Sequence, residues 1–328
     1  MILGIESTAH TFGVAVVNNG IILSNVKDAY TTVSGGIIPT EASEHHKKVS
    51  HELYQRALDE ALIEEKDLKA IAFSQGPGLS PCLHQGLNLA KELALKLKIP
   101  IVPVNHCIAH QEIGQLTNAK DPVLLYASGA NTQIIAYASG KYRIFGETLD
   151  LGIGNFIDTY ARHTGLGFPG GPVIQALALK GKQYIELPYV VKGMDISLSG
   201  ILTNLKQKYD SKKYTAEDLA YSLQETVFAM LIEVSERALA HTGKKELLIG
   251  GGVGCNTRLQ EMCRIMCEQR GAKFFAPPNS LLTDNGAMIG YLGEKIFKKE
   301  NSKYNPKEIG EMGIEPKQRT DQVEIKYK

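Results

Sequence analysis

The sequence has almost no surplus of charge: 36 basic residues stand against 35 acidic ones, a formal net charge of +1. That balance excludes a protein that grips nucleic acid by bulk electrostatics, because such affinity grows with the Lys and Arg set against phosphates. Any RNA substrate would need a local basic patch or companion subunits. The sequence also lacks an apolar run approaching the ~18 residues that suggest a membrane span. Its apolar opening, residues 1–17, is broken by Glu6, Ser7, Thr8 and His10, so it reads as neither a signal-peptide core nor a span, and a cytoplasmic protein with no membrane partner is expected. Five cysteines (Cys82, Cys107, Cys255, Cys263, Cys267), odd in number and without CxxC pairs, argue against a secreted disulfide framework and a cysteine zinc ribbon. Reduced, buried thiols are expected, with Cys263 and Cys267, four apart on one predicted helix, read as core side chains and a shared metal as the lesser alternative. What remains is 328 residues, 43% hydrophobic and 22% charged, enough for a full core in two domains or one bilobed unit.

The most informative pattern is a degenerate internal repeat. Residues 1–5 and 11–17 are β-rich runs around Glu6-Ser7-Thr8-Ala9-His10; residues 123–127 and 132–138 flank Ser128-Gly129-Ala130-Asn131. Each hairpin continues into a third strand, through Asn18-Asn19-Gly20 and Ser139-Gly140 respectively. Small turns rich in hydroxyls and glycine present N–H groups to anions, so two of them can clamp a nucleotide's phosphates; two unrelated meanders are the plainer alternative. Between the repeats, helical spacing over 43–63 and 79–97 surrounds a short strand at 70–74. Further helices are predicted near 156–164, 172–180, 217–242, 256–270 and 284–299, with a strand at 246–249, so strand and helix alternate as in an α/β fold. A boundary near Lys120-Asp121-Pro122 fits the turn chemistry.

His106 and His110 lie at i and i+4, a spacing that puts two imidazoles on one helical face where they can share a divalent ion. Cys107 occupies the place where a zinc protease would carry its glutamate, which removes the protease reading. Two histidines with unrelated hydrogen bonds remain open. Asp284, at a helix start after the Pro277-Pro278 loop, is either a third ligand or an ordinary N-cap. Gly250–Gly254 follows an apolar strand and lets the backbone approach a flat ligand, but its spacing is not the dinucleotide GxGxxG. Asp158, after the Gly152/Gly154 loop, can take a ribose hydroxyl or a cation. His45-His46-Lys47-Lys48 reads as a cationic, solvated helix start, with phosphate contact as the alternative.

In order along the chain, GIESTAHTFGVAV, IIPTEASEHH, SQGPGLSPCLHQGLNLAKELA, VNHCIAH, YASGANTQI, LGIGNFIDTYAR, GFPGGP, KGMDISLSG, GGVGCNTRL and TDNGAMIG resemble the TsaD/Kae/OSGEP family of tRNA threonylcarbamoyladenosine transferases, and more closely its archaeal–eukaryotic branch. The resemblance implies an α/β actin-like ATPase fold of the Hsp70, actin and sugar-kinase class, with two duplicated ribonuclease H-like subdomains and a cleft between them. It divides the chain into an N-terminal subdomain (1–121), a C-terminal subdomain with the metal and nucleotide cleft (122–299), and a tail packing back on the first (300–328). It implies one divalent ion, Fe2+ or Zn2+, held by His106, His110, Tyr126 and Asp284. ATP, AMP or threonylcarbamoyl-adenylate would be held by Tyr126, Ala127, Ser128, Gly129, Ala130, Asp158, Gly171, Gln175 and Asn256. At 130 the family usually has Gly, and at 175 Glu.

The implied reaction moves a threonylcarbamoyl group from its adenylate to the N6 amine of adenosine 37 in tRNAs that read codons beginning with A, releasing AMP; no general base is evident. The implied partners are tRNA and the KEOPS subunits: a Bud-type kinase/ATPase, expected as a separate polypeptide, a Pcc-type dimerising subunit and a Cgi-type subunit. Two alternatives share the hairpin clamp: a small-molecule phosphotransferase, and a non-catalytic ATP-binding chaperone or scaffold.

Overall fold

In a computed structural model that describes residues 1–32 and 36–328, the apolar runs become two sheets of one design. Strands β1 (Ile2–Glu6), β2 (Thr11–Asn18) and β3 (Ile21–Ala29) form an antiparallel meander. Asn19 and Gly20 turn β2 into β3 with φ of +51° and +78°, the left-handed pair that a tight hairpin turn demands. Helix α1 (Pro39–Ala61) leads to β4 (Ala70–Gly76), parallel to β1; α2 (Ser80–Leu97) leads to β5 (Ile101–Asn105), parallel to β4. The strand order is β3-β2-β1-β4-β5, and α3 (His106–Ile113) follows β5 without a loop. Every residue of β1 is buried, as expected for a strand covered on both faces.

The second half repeats this plan. Strands β6 (Val123–Ala127), β7 (Thr132–Ala138) and β8 (Lys141–Glu147) form a meander, followed by α4 (Ile153–His163) and α5 (Gly170–Ala178). After the two-residue strands β9 (Val191–Lys192) and β10 (Asp195–Ile196) come α6 (Ser199–Asp210) and α7 (Ala216–Thr242). Strand β11 (Glu246–Gly250) runs parallel to β6, and α8 (Thr257–Gln269) crosses to β12 (Lys273–Phe275), parallel to β11. The order β8-β7-β6-β11-β12 matches the first sheet strand for strand. The repeated hairpins in the sequence are thus the visible part of a duplicated five-stranded unit, the architecture of the actin-like ATPase fold. Strands β5 and β12 and helix α6 were not foreseen; α6 is mixed in character, and β12 has only three residues.

The chain then passes through α9 (Asn279–Leu282) into α10 (Gly286–Glu300), which returns to the first sheet. A shared apolar layer joins the halves: Ile2 and Ala15 from one sheet, Leu124 and Leu248 from the other, with Ile108 of α3 and Met288 of α10 between them. Helix α10 reaches β1 at backbone distance. A Cβ on Gly4 would lie 2.3 Å from both the Gly286 carbonyl oxygen and the Gly290 nitrogen. After α11 (Pro306–Glu311), the segment first lies along the first half, with Glu315 N donating to Gln75 O at 2.8 Å and Asn105 Nδ2 to Gln318 Oε1 at 2.8 Å, and then reaches the second sheet, where Lys328 Nζ lies 4.3 Å from the Tyr137 ring centroid.

One sequence expectation is corrected. His46 is not on a solvated face: it is 0% exposed, packs edge-on against Phe12, and its Nε2–H donates to Ala9 O at 3.0 Å. The period of α1 turns position 46 inward with Leu53 and Ala57, a pattern that the run of polar letters concealed. Burial, with His45 beside it, lowers the imidazole to about 4 from its ordinary 6.5.

Because an unfolded histidine protonates near 6.5 and this one resists until about 4, its contribution to stability is present above pH 6.5 and drains as the pH falls toward 4. A His46→Phe variant should show a flatter melting temperature across that window. In urea denaturation, Gly4→Ala is expected to cost about 3 kcal/mol, because backbone atoms on both sides of the contact cannot move aside.

Candidate metal and nucleotide site

Asn105 ends β5 and caps α3, its Oδ1 accepting from Ile108 N at 3.0 Å. The helix therefore starts at His106 and presents His110 one turn later, with ring centroids 4.8 Å apart. Tyr126 comes from the centre of the second sheet, where β6 pairs with β11 opposite Gly250. Asp284 arrives from the loop ahead of α10. The N-cap of that helix is Asn285, whose side chain accepts from Met288 N at 3.0 Å, so capping does not occupy the Asp284 carboxylate. Its Oδ1 lies 3.4 Å from His106 Nε2 and 3.3 Å from His110 Nε2. One donor atom from each of His106, His110 and Asp284 falls within 4.8 Å of the others, and the Tyr126 hydroxyl is 3.0 Å from His106 Nε2.

A residue not singled out as a site candidate in the sequence holds this cluster in place. Glu6, wholly buried at the end of β1, sets Oε2 2.9 Å from His106 Nδ1, while its Oε1 accepts from Thr8 N at 2.7 Å. With an ion bound, a proton kept on Nδ1 and donated to Glu6 would leave Nε2 free to ligate it, the carboxylate–histidine pairing that orients metal-binding imidazoles. Burial alone would lower the His106 pKa, but Glu6 and Asp284 overcome it and raise it to about 9. Burial would raise the Asp284 carboxyl, yet His106 and His110 hold it well below the carboxylate range. His110 is lowered, by burial first. Tyr126 is pushed well above its ordinary value by burial. Lys27 donates to the Thr283 hydroxyl and, at 3.3 Å, to the Asp284 carbonyl oxygen. Among the described residues, the Asp284 carboxylate has ion-pair partners in the two histidines. Two imidazoles, a carboxylate and a phenol, with the Glu6 carboxylate behind His106, fit a divalent ion.

Asp284 is also part of the wall of a cavity of about 470 Å3. Of the sequence candidates, Ser128, Gly129, Asp158, Gly171, Gln175 and Asn256 line it. Tyr126 and Ala127 sit buried behind the wall at the end of β6, and Ala130 is exposed and outside it. The 128–131 turn is docked on the start of α4: Gly154 N donates to Ser128 O at 3.0 Å, and Asn155 N to Gly129 O at 2.9 Å. Ser128 N donates to Asn131 O, and among the described residues no backbone acceptor meets the Gly129 or Ala130 amide. Gly251 has φ +87° and would place a Cβ 2.4 Å from Ala127 O, so only glycine lets the 251–255 loop pass this close to β6.

Asn256 caps α8 through Oδ1, and its Nδ2 donates to Gln224 Oε1 at 2.6 Å; its polar atoms are engaged in building the wall. Asp158 Oδ1 accepts from Gly170 N at 2.7 Å, and burial raises its pKa. Gln175 Nε2 reaches Thr257 Oγ1 at 3.4 Å. Ile157, Phe168, Pro172 and Val253 give the cavity apolar sides suited to a flat ring. Gln224 and His10, also in the wall, escaped the sequence reading: Gln224 lies mid-helix with no motif around it, whereas His10 sat in view within the first hairpin turn.

Exchanging Glu6 for Gln should weaken Zn2+ binding by roughly 10- to 100-fold in a chelator competition titration, since it removes the anion that fixes the His106 tautomer.

The family model for TsaD, tRNA N6-adenosine threonylcarbamoyltransferase, matches residues 21–291. The chain is 55% identical over 325 residues to the tRNA N6-adenosine threonylcarbamoyltransferase of Thermococcus sibiricus, covering 99% of both chains. It is 51% identical over 330 residues to a probable bifunctional tRNA threonylcarbamoyladenosine biosynthesis protein of Methanosarcina mazei, of which it covers 59%. Among solved structures, Thermococcus kodakarensis HypF superposes with a TM-score of 0.66 at 15% identity, over 94% of this chain and 48% of that one, a likeness of fold. With full-length identity of this order and a family model spanning most of its residues, the chain belongs to the TsaD family.

Proposed function

We propose that this protein transfers the threonylcarbamoyl group of threonylcarbamoyl-adenylate to the N6 amine of adenosine 37 in tRNAs reading codons that begin with A. The N6–C bond forms as the bond from the carbamoyl carbon to the phosphate oxygen breaks, AMP departs with that bond's electron pair, and the amine gives up a proton to solvent. The observation that carries this reading is the double membership of Asp284, which belongs both to the cluster with His106 and His110 and to the wall of the cavity. An adenylate in that cavity has its activated carbonyl beside the cluster. His106, His110, Tyr126 and Asp284 would hold one Fe2+ or Zn2+ ion, which as a Lewis acid polarises a carbonyl.

The chain's own residues supply the remaining functions. The apolar sides of the cavity take the adenine, Asp158 accepts from a ribose hydroxyl, and the amides after Ser128 face the phosphate, where fixed donors are most effective. Gly171, Gln175 and Asn256 shape the wall, and Ala127 and Tyr126 support it from behind. Ala130 is exposed, so its methyl group is compatible with the site. The adenosine amine is a weak nucleophile, its lone pair shared with the ring, and orientation against a polarised carbonyl is what it needs most.

The near-neutral charge fits an enzyme that borrows tRNA affinity from companions, and a KEOPS-type assembly with Bud-, Pcc- and Cgi-type subunits is the partner set we assign. The chain is read as two subdomains, 1–121 and 122–299, with residues 300–328 returning to the first. No helix is long and apolar enough to cross a membrane, and a cytoplasmic site of action is part of the proposal.

The test is incubation with threonine, bicarbonate, ATP, the adenylate-forming synthase, candidate partners and unmodified tRNA, followed by nucleoside analysis. Modified adenosine together with AMP is the expected result; a phosphorylated small molecule would point instead to a sugar-kinase type of phosphotransferase. His106→Ala combined with His110→Ala should lower transfer by at least about 100-fold, on the scale of several kcal/mol of lost charge stabilisation, while nucleotide affinity measured by calorimetry changes little. Transfer that survives this double change would favour a chaperone or scaffold.

A further inference from the structure

Residues 206–214, Lys-Gln-Lys-Tyr-Asp-Ser-Lys-Lys-Tyr, hold four lysines, two tyrosines and one acid in nine positions. Their net charge of +3, in a chain whose total is +1, leaves the remainder at −2, so the positive surplus is concentrated here. The segment is the end of α6 and the connection to α7. Its acid is already engaged, with Asp210 Oδ1 2.9 Å from His163 Nε2. Among the described residues, neither Lys206, Lys208, Lys212 nor Lys213 forms an ion pair with a carboxylate. Two of the ammonium groups rest over aromatic rings, Lys212 Nζ 4.3 Å from the Tyr209 centroid and Lys208 Nζ 5.3 Å from that of Tyr214. Such contacts orient a cation without cancelling its charge.

A second basic stretch lies against the first. The backbone nitrogens of Lys182 and Gln183 both donate to Asp218 Oδ1, at 2.8 and 2.9 Å, and Asp218 in turn bonds Thr215, the cap of α7. Lys180 and Lys182 therefore flank the 212–215 connection. Next to them Tyr184 is held by its hydroxyl on Thr226 at 2.9 Å while half of its surface stays open to solvent, a fixed and accessible ring. The place of this face relative to the cavity is set by α4. The helix begins in the cavity wall with Gly154, Ile157 and Asp158 and ends at His163, the partner of Asp210, so the basic edge stands one helix length, about 16 Å, from the cavity.

We infer that this edge binds the single-stranded RNA next to the nucleotide in the cleft, its phosphates on Lys206, Lys208, Lys212 and Lys213 and a base on the ring of Tyr184. Lysines that track a backbone beside aromatic rings that accept any base are the two components of single-strand recognition, and unpaired loops are where proteins reach RNA bases. The inference rests on the reading of this chain as a tRNA-modifying enzyme and adds the surface on which that substrate lies.

The test exchanges Lys206, Lys208, Lys212 and Lys213 together for Gln in the full chain and titrates unmodified tRNA by fluorescence anisotropy between 50 and 300 mM KCl. All four side chains are at least partly exposed, so an unchanged melting temperature is the control for folding. Four phosphate contacts on a single strand predict a salt slope shallower by about 3 and an affinity lower by roughly 10-fold or more. ATP affinity should be unchanged. In the reconstituted reaction KM for tRNA should rise while kcat holds. A variant with its parent's tRNA affinity and salt slope overturns the inference. So does a variant that loses transfer only when companion subunits are present, which would assign the lysines to an acidic protein. If the parent binds tRNA but modifies nothing, and the variant still loses affinity and slope, the transferase reading fails and the surface stands.

Discussion

The candidate metal site depends on four glycines that carry no chemistry of their own. Gly4 and Gly13 in the first sheet face Gly286 and Gly290 on α10, and each position would drive a Cβ to within 3.0 Å of atoms across the contact. Without side chains between them, helix and strands meet backbone to backbone, and the start of α10 is pinned over β1 and β2. Asp284 lies two residues before that contact. Its carboxylate can therefore come from the far end of the sequence and still sit 3.3 Å from a histidine on α3. Close packing of this kind transmits position accurately because neither surface can yield without a steric cost.

Packing explains where the groups are, and electrostatics explains what they are ready to hold. Asp284 and Glu6 are acids in a region with little water, and charges in such surroundings persist only when they are compensated. His106 provides that compensation, with His110 beside it at hydrogen-bond distance from Asp284, which is why His106 is raised to about 9 while Asp284 is held low. The same arrangement suits an ion: Glu6 takes the proton side of His106, and the other ring nitrogen is directed to the carboxylate and the phenol of Tyr126. Anions behind imidazoles make the ligands more basic.

The cavity is assembled by a different principle, from loops at the ends of strands that the duplicated sheets bring face to face. The Ser128–Asn131 turn, the glycine loop after β11 and the starts of α4 and α5 all meet there. Their connection to the cluster is the Thr283-Asp284 pair, and their connection to the basic edge of α6 is α4 itself. One rigid helix thus relates the cavity to the place where positive charge accumulates.

Local periodicity and local chemistry were legible in the sequence. The i, i+4 spacing of His106 and His110, the paired hairpins and the glycine run after an apolar strand all express interactions among residues a few positions apart, and ten ordered motifs carried the family. The tertiary structure decided everything that depends on distant residues meeting. Asp284 was equally an N-cap until Asn285 was seen to fill that role; Glu6 was a polar interruption until His106, one hundred positions on, settled against it. His46 looked solvated because its neighbours in sequence are charged, yet the turn of α1 faces it to Phe12. The physical reason is the same in each case: a side chain's neighbours in sequence set its conformation, while its protonation and its partners are set by the neighbours that folding brings to it.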